Sequence, residues 1–147
     1  MSRPPSSVLF ACSFNAIRSP MAAALLRHWH GRRIFVDSVG VRTGEVDPFA
    51  VAVMEEIGIA IGSHQAKSFD ELEDTSFDLV VSLSPEAQHS AVELTRTMAC
   101  DVEFWPTFDA TAVEGSRGER LAAYRLVRDQ LRKRILERFP PGLVGIA

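Results

Sequence analysis

V-L-F-A-C-S-F-N-A-I-R-S-P, residues 8–20, decides how this chain is read. An apolar run ends at Cys12. Five residues separate it from Arg18, and Ser19, Pro20 and the helical pattern M-A-A-A-L-L-R-H-W follow at once. A chain that leaves a strand and enters a helix in so few residues must curl. A curled loop turns successive backbone N–H groups inward. That nest, backed by a helix N-terminus, binds an oxyanion and stabilises a thiolate. Arg18 closes the ring as a planar fork on two anion oxygens. The expected phosphate loop is therefore Cys12, Ser13, Phe14, Asn15, Ala16, Ile17 and Arg18, which supplies a nucleophile and an anion site together.

Working outward, residues 8–11 read as a short buried strand. The first helix carries Pro20 in its opening turn, Ser19 as its cap, and ends at Gly31. Residues 34–39 form a second strand and 40–47 a loop. Pro48 starts a second helix with Phe49, Val53 and Ile57 at helical spacing, closed by Gly58. Residues 59–73 are irregular, with a short helical turn at 69–72. Residues 77–83, F-D-L-V-V-S-L, are the clearest buried strand; 85–97 follow as a third helix and 102–105 as a fourth strand. A long loop, 106–117, leads to an amphipathic helix over 118–139, with Leu121, Tyr124, Val127, Leu131, Ile135 and Phe139 near one stripe. Strands alternating with helices predict an α/β three-layer sandwich, a four-stranded parallel sheet flanked by helices on both faces. In such sheets ligands bind beyond the carboxyl ends of the strands. The Cys12 loop and the loop after the fourth strand both fall there.

The bulk properties narrow the choice. A chain of 147 residues suits a single domain over 1–147 with one sizeable core. A net charge of −3 and the absence of a long basic run argue against nucleic acid as a partner. Arg132 to Arg134, the one basic cluster, reads as a solvated helix face. No apolar stretch approaches the roughly 20 residues of a membrane span, and M-S-R-P-P-S-S lacks the apolar core of a signal peptide. Two cysteines, Cys12 and Cys100, fit a reducing, cytoplasmic setting better than a disulfide framework. His28 and His30 flank Trp29 near a helix end, without the cysteine or carboxylate spacing of a metal site. They are read as meeting solvent or the helix C-terminus. Trp105 reads equally as core or pocket rim, and Cys100 as a small core residue.

A thiolate that attacks phosphorus needs a proton donor for the leaving group, and a carboxylic acid on the same rim serves. Asp109, in F-W-P-T-F-D-A-T just past the fourth strand, is the best candidate. Asp37, Asp47 and Asp101 compete on composition, but Asp37 lies in or at the end of a strand and Asp101 precedes one.

These residues resemble the low-molecular-weight protein tyrosine phosphatases, and the resemblance covers nearly the whole chain. C-S-F-N-A-I-R-S-P matches that family's loop at Cys12, Asn15, Arg18, Ser19 and Pro20. D-S-V-G (37–40), D-P-F-A-V (47–51), G-I-A-I-G-S-H-Q-A-K (58–67) and Phe77-Asp78 are similar to its later segments. The resemblance implies Cys12 as nucleophile, Arg18 as phosphate ligand and Asp109 as general acid. It also implies a supporting hydrogen-bond network of Asn15, Ser19, Ser38 and His64. Asn15 suits a left-handed loop position, and Ser19 Oγ is placed to donate to the sulfur.

Four features depart from the family. Ala110 replaces the proline after the acid. Thr111, Ala112 and Gly44 stand where aromatic pocket walls are expected, unless Phe14, Phe108 or Trp105 substitutes. Ile17 replaces a second cysteine that guards the nucleophile. Phe14 replaces a small residue.

The leading expectation is a phosphomonoester hydrolase, acting on protein phosphotyrosine through a phosphocysteine. It would need no metal or other cofactor and work as a monomer or weak homodimer on a phosphorylated protein or small phosphomonoester. Related thioredoxin-coupled arsenate reductases share the loop but relay through further cysteines near the third strand. Here Ser82 and Ser84 stand there, so a reductase would use an external thiol. A weakly active phosphoprotein-binding module is the third reading.

Overall fold

The computed structural model describes residues 4–73 and 76–141. It contains a parallel four-stranded sheet in the order β2-β1-β3-β4, with β1 Ser7–Cys12, β2 Phe35–Gly40, β3 Leu79–Ser82 and β4 Asp101–Phe104. The helices are α1 Arg18–His30, α2 Pro48–Glu55, α3 Pro85–Leu94 and α4 Arg117–Arg138, with short 3-10 turns at Phe69–Glu71 and Ala110–Ala112. The second of these turns lies inside the stretch read as plain loop.

Side-chain alternation along β1 divides the core. Val8, Phe10 and Cys12 face the larger cluster, built with Leu25, Met54, Tyr124, Leu131 and Ile135. Leu9 and Ala11 face the smaller one, with Val80, Ala87 and Ala91. Helices thus cover both faces, and β1 sits in the middle. Every β1 residue is buried, which explains its unbroken apolar run. The expected stripe of α4 is the buried one: Tyr124, Val127, Leu131, Ile135 and Phe139 lie at most 2% exposed.

Boundaries shift where tertiary contacts outrank local signals. α3 stops at Leu94, because Thr95 bonds back to the Val92 carbonyl through both its N–H and its hydroxyl. Glu55 ends α2, and Gly58 takes a left-handed φ of 77° in the turn beyond. Of the two readings of Trp105, core holds: its ring sits against Phe10 and Phe139, with centroids 5.9 and 6.5 Å away. His28 is exposed, whereas His30 is 4% exposed and meets the C-terminus of α4 rather than that of its own helix, with Nε2 2.8 Å from the Phe139 carbonyl. Among the described residues no helix is long and apolar enough to cross a membrane.

Candidate active site

The loop after β1 is held from outside by its carbonyls. The Cys12, Ser13, Phe14 and Ala16 oxygens accept from the N–H groups of Val41, Arg42, Gly44 and Asp47, at 3.0, 2.8, 3.0 and 3.1 Å. His64 Nε2 reaches the Asn15 carbonyl at 3.0 Å. In a trans peptide the C=O and the next N–H point opposite ways. Carbonyls turned out therefore turn the following N–H groups in. Among the described residues nothing accepts from the N–H groups of residues 14–17. Helix α1 behind them opens at Ile17 with no side-chain cap, so its own N-terminal donors also face the loop. Ser19 is thus not the expected cap; it lies inside the first helical turn.

Ser19 turns toward the sulfur instead. Its Oγ lies 2.9 Å from Cys12 Sγ and 3.3 Å from the Val39 carbonyl. Asn15 Nδ2 donates to Ser19 Oγ and Ser38 Oγ at 2.8 and 2.9 Å. Ser19 Oγ thereby accepts from Asn15, which leaves its one proton for Cys12 or Val39. Asn15 Oδ1 accepts from Lys67 N–H and from His64 Nε2, at 3.0 and 3.1 Å. His64 Nε2 faces two acceptors, so that nitrogen carries the ring proton. Burial is the main cause that lowers the His64 pKa below its ordinary value; the hydrogen bond to Asn15 opposes it. Asn15 has φ 55°, a left-handed conformation that Asn tolerates better than most residues. The four residues expected as a network therefore form one chain of hydrogen bonds ending at Cys12.

Sequence reasoning passed over Gly40, at the end of β2. A Cβ there would come within 2.4 Å of the Arg42 carbonyl, 2.7 Å of the Asn15 nitrogen and 2.8 Å of the Phe14 carbonyl carbon. The glycine in D-S-V-G was the available signal. Only glycine lets the Cys12–Arg18 loop pass this close.

The other rim is built differently. Arg18 Nη1 donates to the Thr107 carbonyl at 3.1 Å, tying the Cys12–Arg18 loop to the segment that carries Asp109. A backbone carbonyl leaves no trace in the sequence, so Thr107 was not foreseen. Asp109 is exposed. Its Oδ1 accepts from Thr111 N–H and Oγ1, at 3.0 and 2.6 Å, and it caps the Ala110–Ala112 turn. The competing carboxylates are engaged elsewhere. Asp37 pairs with Lys67. Asp47 caps α2 and accepts from the Tyr124 hydroxyl. Asp101 begins β4, at the opposite end of the sheet.

Phe14 and Phe108 are the exposed aromatic rings beside these two loops, 49% and 43% exposed. Arg42 lies 5.0 Å from the Phe14 ring centre and forms a bidentate pair with Glu86. Ser13 Oγ donates to Ser84 Oγ, which caps α3. Cys100 is half-buried, and burial, then the Asp101 charge, push its thiol up.

Comparison with known proteins places the chain by family and fold. The family model for low molecular weight phosphotyrosine protein phosphatase matches residues 7–135. An arsenate reductase of Halalkalibacterium halodurans is 33% identical over 129 residues, covering 87% of this chain and 91% of that protein. The solved YwlE arginine phosphatase from Geobacillus stearothermophilus superposes with a TM-score of 0.67 at 25% identity, covering 91% of this chain and 90% of that one. The tyrosine phosphatase AmsI of Erwinia amylovora shares the fold, with a TM-score of 0.71 at 19% identity over 88% of each chain. With a curled cysteine-arginine loop at the carboxyl end of β1, and a family match over most of its length, this chain belongs to the low molecular weight phosphotyrosine protein phosphatase family of enzymes.

Proposed function

We propose that the chain hydrolyses phosphomonoesters, protein phosphotyrosine among them, through a phosphocysteine intermediate. One observation supports the reading: the carbonyls of Cys12, Ser13, Phe14 and Ala16 are held outward by Val41, Arg42, Gly44 and Asp47, while Arg18, at the end of the same loop, donates to Thr107 in the segment bearing Asp109. The phosphate oxygens take the ring N–H groups and the Arg18 fork. Cys12 Sγ attacks phosphorus in line, forming the P–S bond as the P–O ester bond breaks. Asp109 gives its proton to the leaving oxygen. Water then attacks phosphorus, Asp109 takes the water proton, and the P–S bond breaks to return the thiolate. Ser19 steadies the sulfur, Asn15 holds Ser19, and Ser38 and His64 hold Asn15. The test is release of an aryl alcohol from an aryl phosphate by the native protein and by Cys12→Ser. Turnover by native protein and none by the variant supports the reading; equal rates exclude it.

A second reading, arsenate reduction, is favoured by the name of the relative from Halalkalibacterium halodurans. Here it would require an external thiol. Cys100 precedes β4 at the amino ends of the strands, while Cys12 ends β1. Through the Val8–Leu79–Asp101 register they lie five residues apart along the strands, roughly 16 Å, beyond disulfide reach. Arsenate-dependent oxidation of glutathione or thioredoxin distinguishes the two readings, and no turnover with either thiol removes this one.

A further inference from the structure

We infer that Tyr124, on α4, is a positioning residue for the phosphate loop, acting through Asp47. The inference rests on the reading of that loop as an anion site. Tyr124 is the chain's sole tyrosine and is 1% exposed. Its hydroxyl donates to Asp47 Oδ2 at 2.8 Å. Asp47 Oδ1 accepts from Phe49 N–H at 2.8 Å, which starts α2, and Asp47 N–H donates to the Ala16 carbonyl at 3.1 Å. One residue thus joins α4, the start of α2 and the loop.

The Ala16 carbonyl shares its peptide plane with the Ile17 N–H. Fixing that oxygen outward aims the N–H at the anion. The tilted contact of Phe49 on Tyr124, 5.3 Å between centroids, braces the same corner. Burial and the Asp47 carboxylate push the phenol's pKa far up, so it stays a donor throughout the working pH range. Tyr124 touches no reacting atom. It holds Asp47 so that one donor of the ring keeps its direction.

The experiment measures inorganic phosphate affinity by calorimetry, kcat and KM on an aryl phosphate, and thermal midpoint. The proteins are native, Tyr124→Phe, Asp47→Ala and Asp47→Asn. Tyr124→Phe is expected to weaken phosphate binding about three- to tenfold, with kcat/KM falling at least as far. Asp47→Asn keeps both contacts, its Oδ1 accepting from Phe49 and its amide donating to the Tyr124 oxygen. It should stay within about twofold of native, whereas Asp47→Ala should not. The inference is overturned if Tyr124→Phe lowers the thermal midpoint but leaves phosphate affinity and kcat/KM at native values. Should Tyr124→Phe not fold, equal phosphate affinities for Asp47→Ala and Asp47→Asn overturn it, and the expected gap supports it. Native protein that binds phosphate but does not turn over aryl phosphate sinks the hydrolase reading, while the affinities still decide the role of Tyr124. Native protein that binds no phosphate sinks both.

Discussion

The two sides of the Cys12 loop are built on opposite plans. Behind the sulfur, Asn15, Ser19 and Ser38 are at most 2% exposed, and each polar side-chain atom has a partner. Across from it, Asp109 lies in solvent. Its carboxylate turns to its own neighbour Thr111, and its segment meets the Cys12–Arg18 loop through the Arg18 bond to the Thr107 carbonyl. Buried polar networks are costly unless complete, so the inner side has a single arrangement. The outer side follows no such rule. The bonds of the Asp109 carboxylate are local and solvated, although Ala110 beside it is buried. Cys12 is therefore positioned by the fold, and Asp109 by a short loop.

The contrast between the two sides is expected to show most at Asp109. Asp109→Asn should lower kcat by roughly 10²- to 10⁴-fold, while phosphate affinity and alkylation of Cys12 stay native. A parallel loss of phosphate affinity would show that the two sides are one unit. Next comes the inner side. Gly40→Ala forces a methyl against the backbone of Phe14, Asn15 and Arg42. Overpacking of this kind costs about 1–3 kcal/mol, read as a lower urea midpoint together with weaker phosphate binding. A native midpoint and affinity would mean that β2 and the loop separate without penalty.

Smaller still is a pH effect at His64. Its folded pKa lies below 6.5, so the unfolded chain binds more protons as pH falls past that value. The His64 contribution is full above about pH 6.5 and is lost as pH falls through its folded pKa. Native protein should lose urea stability over that range more steeply than His64→Gln, and identical slopes would remove His64 from the accounting. The smallest effect is expected at Ala110→Pro. Asp109 has φ −89° and ψ 105°, extended backbone that suits a residue before proline. Proline at the first position of the turn should stiffen the outer side, adding about 0.4–1 kcal/mol of stability at near-native kcat. A loss of stability would show that the buried Ala110 site has no room for the ring.

What could be read without coordinates was what neighbours in the chain decide. The unbroken apolar run before Cys12, the Pro48 and Pro85 helix starts and the α4 stripe are short-range patterns, and each appears where expected. Ser19 shows the limit of that logic. Capping rules assign a serine before a helical proline to the helix end. Here the helix begins earlier, at Arg18, and the hydroxyl serves the sulfur. For His30 and Trp105 the chain left two readings open, because the partners that decide them, Phe139 and Phe10, are far off in the sequence. Thr107 contributes only a carbonyl, which any residue possesses.

By itself, then, the sequence determined the alternation of strand and helix, the curl between Cys12 and Arg18, and the residue types able to carry phosphate chemistry. These follow from hydrophobic periodicity and backbone sterics over a few residues. Only the tertiary structure decided which carbonyls hold the loop open, that Gly40 must be bare beside Asn15, that Arg18 meets the segment of Asp109, and that Tyr124 stands behind Asp47. The physical reason is common to all of them. Hydrogen bonds and close approaches between segments tens of residues apart exist only once the sheet order β2-β1-β3-β4 has brought those segments together.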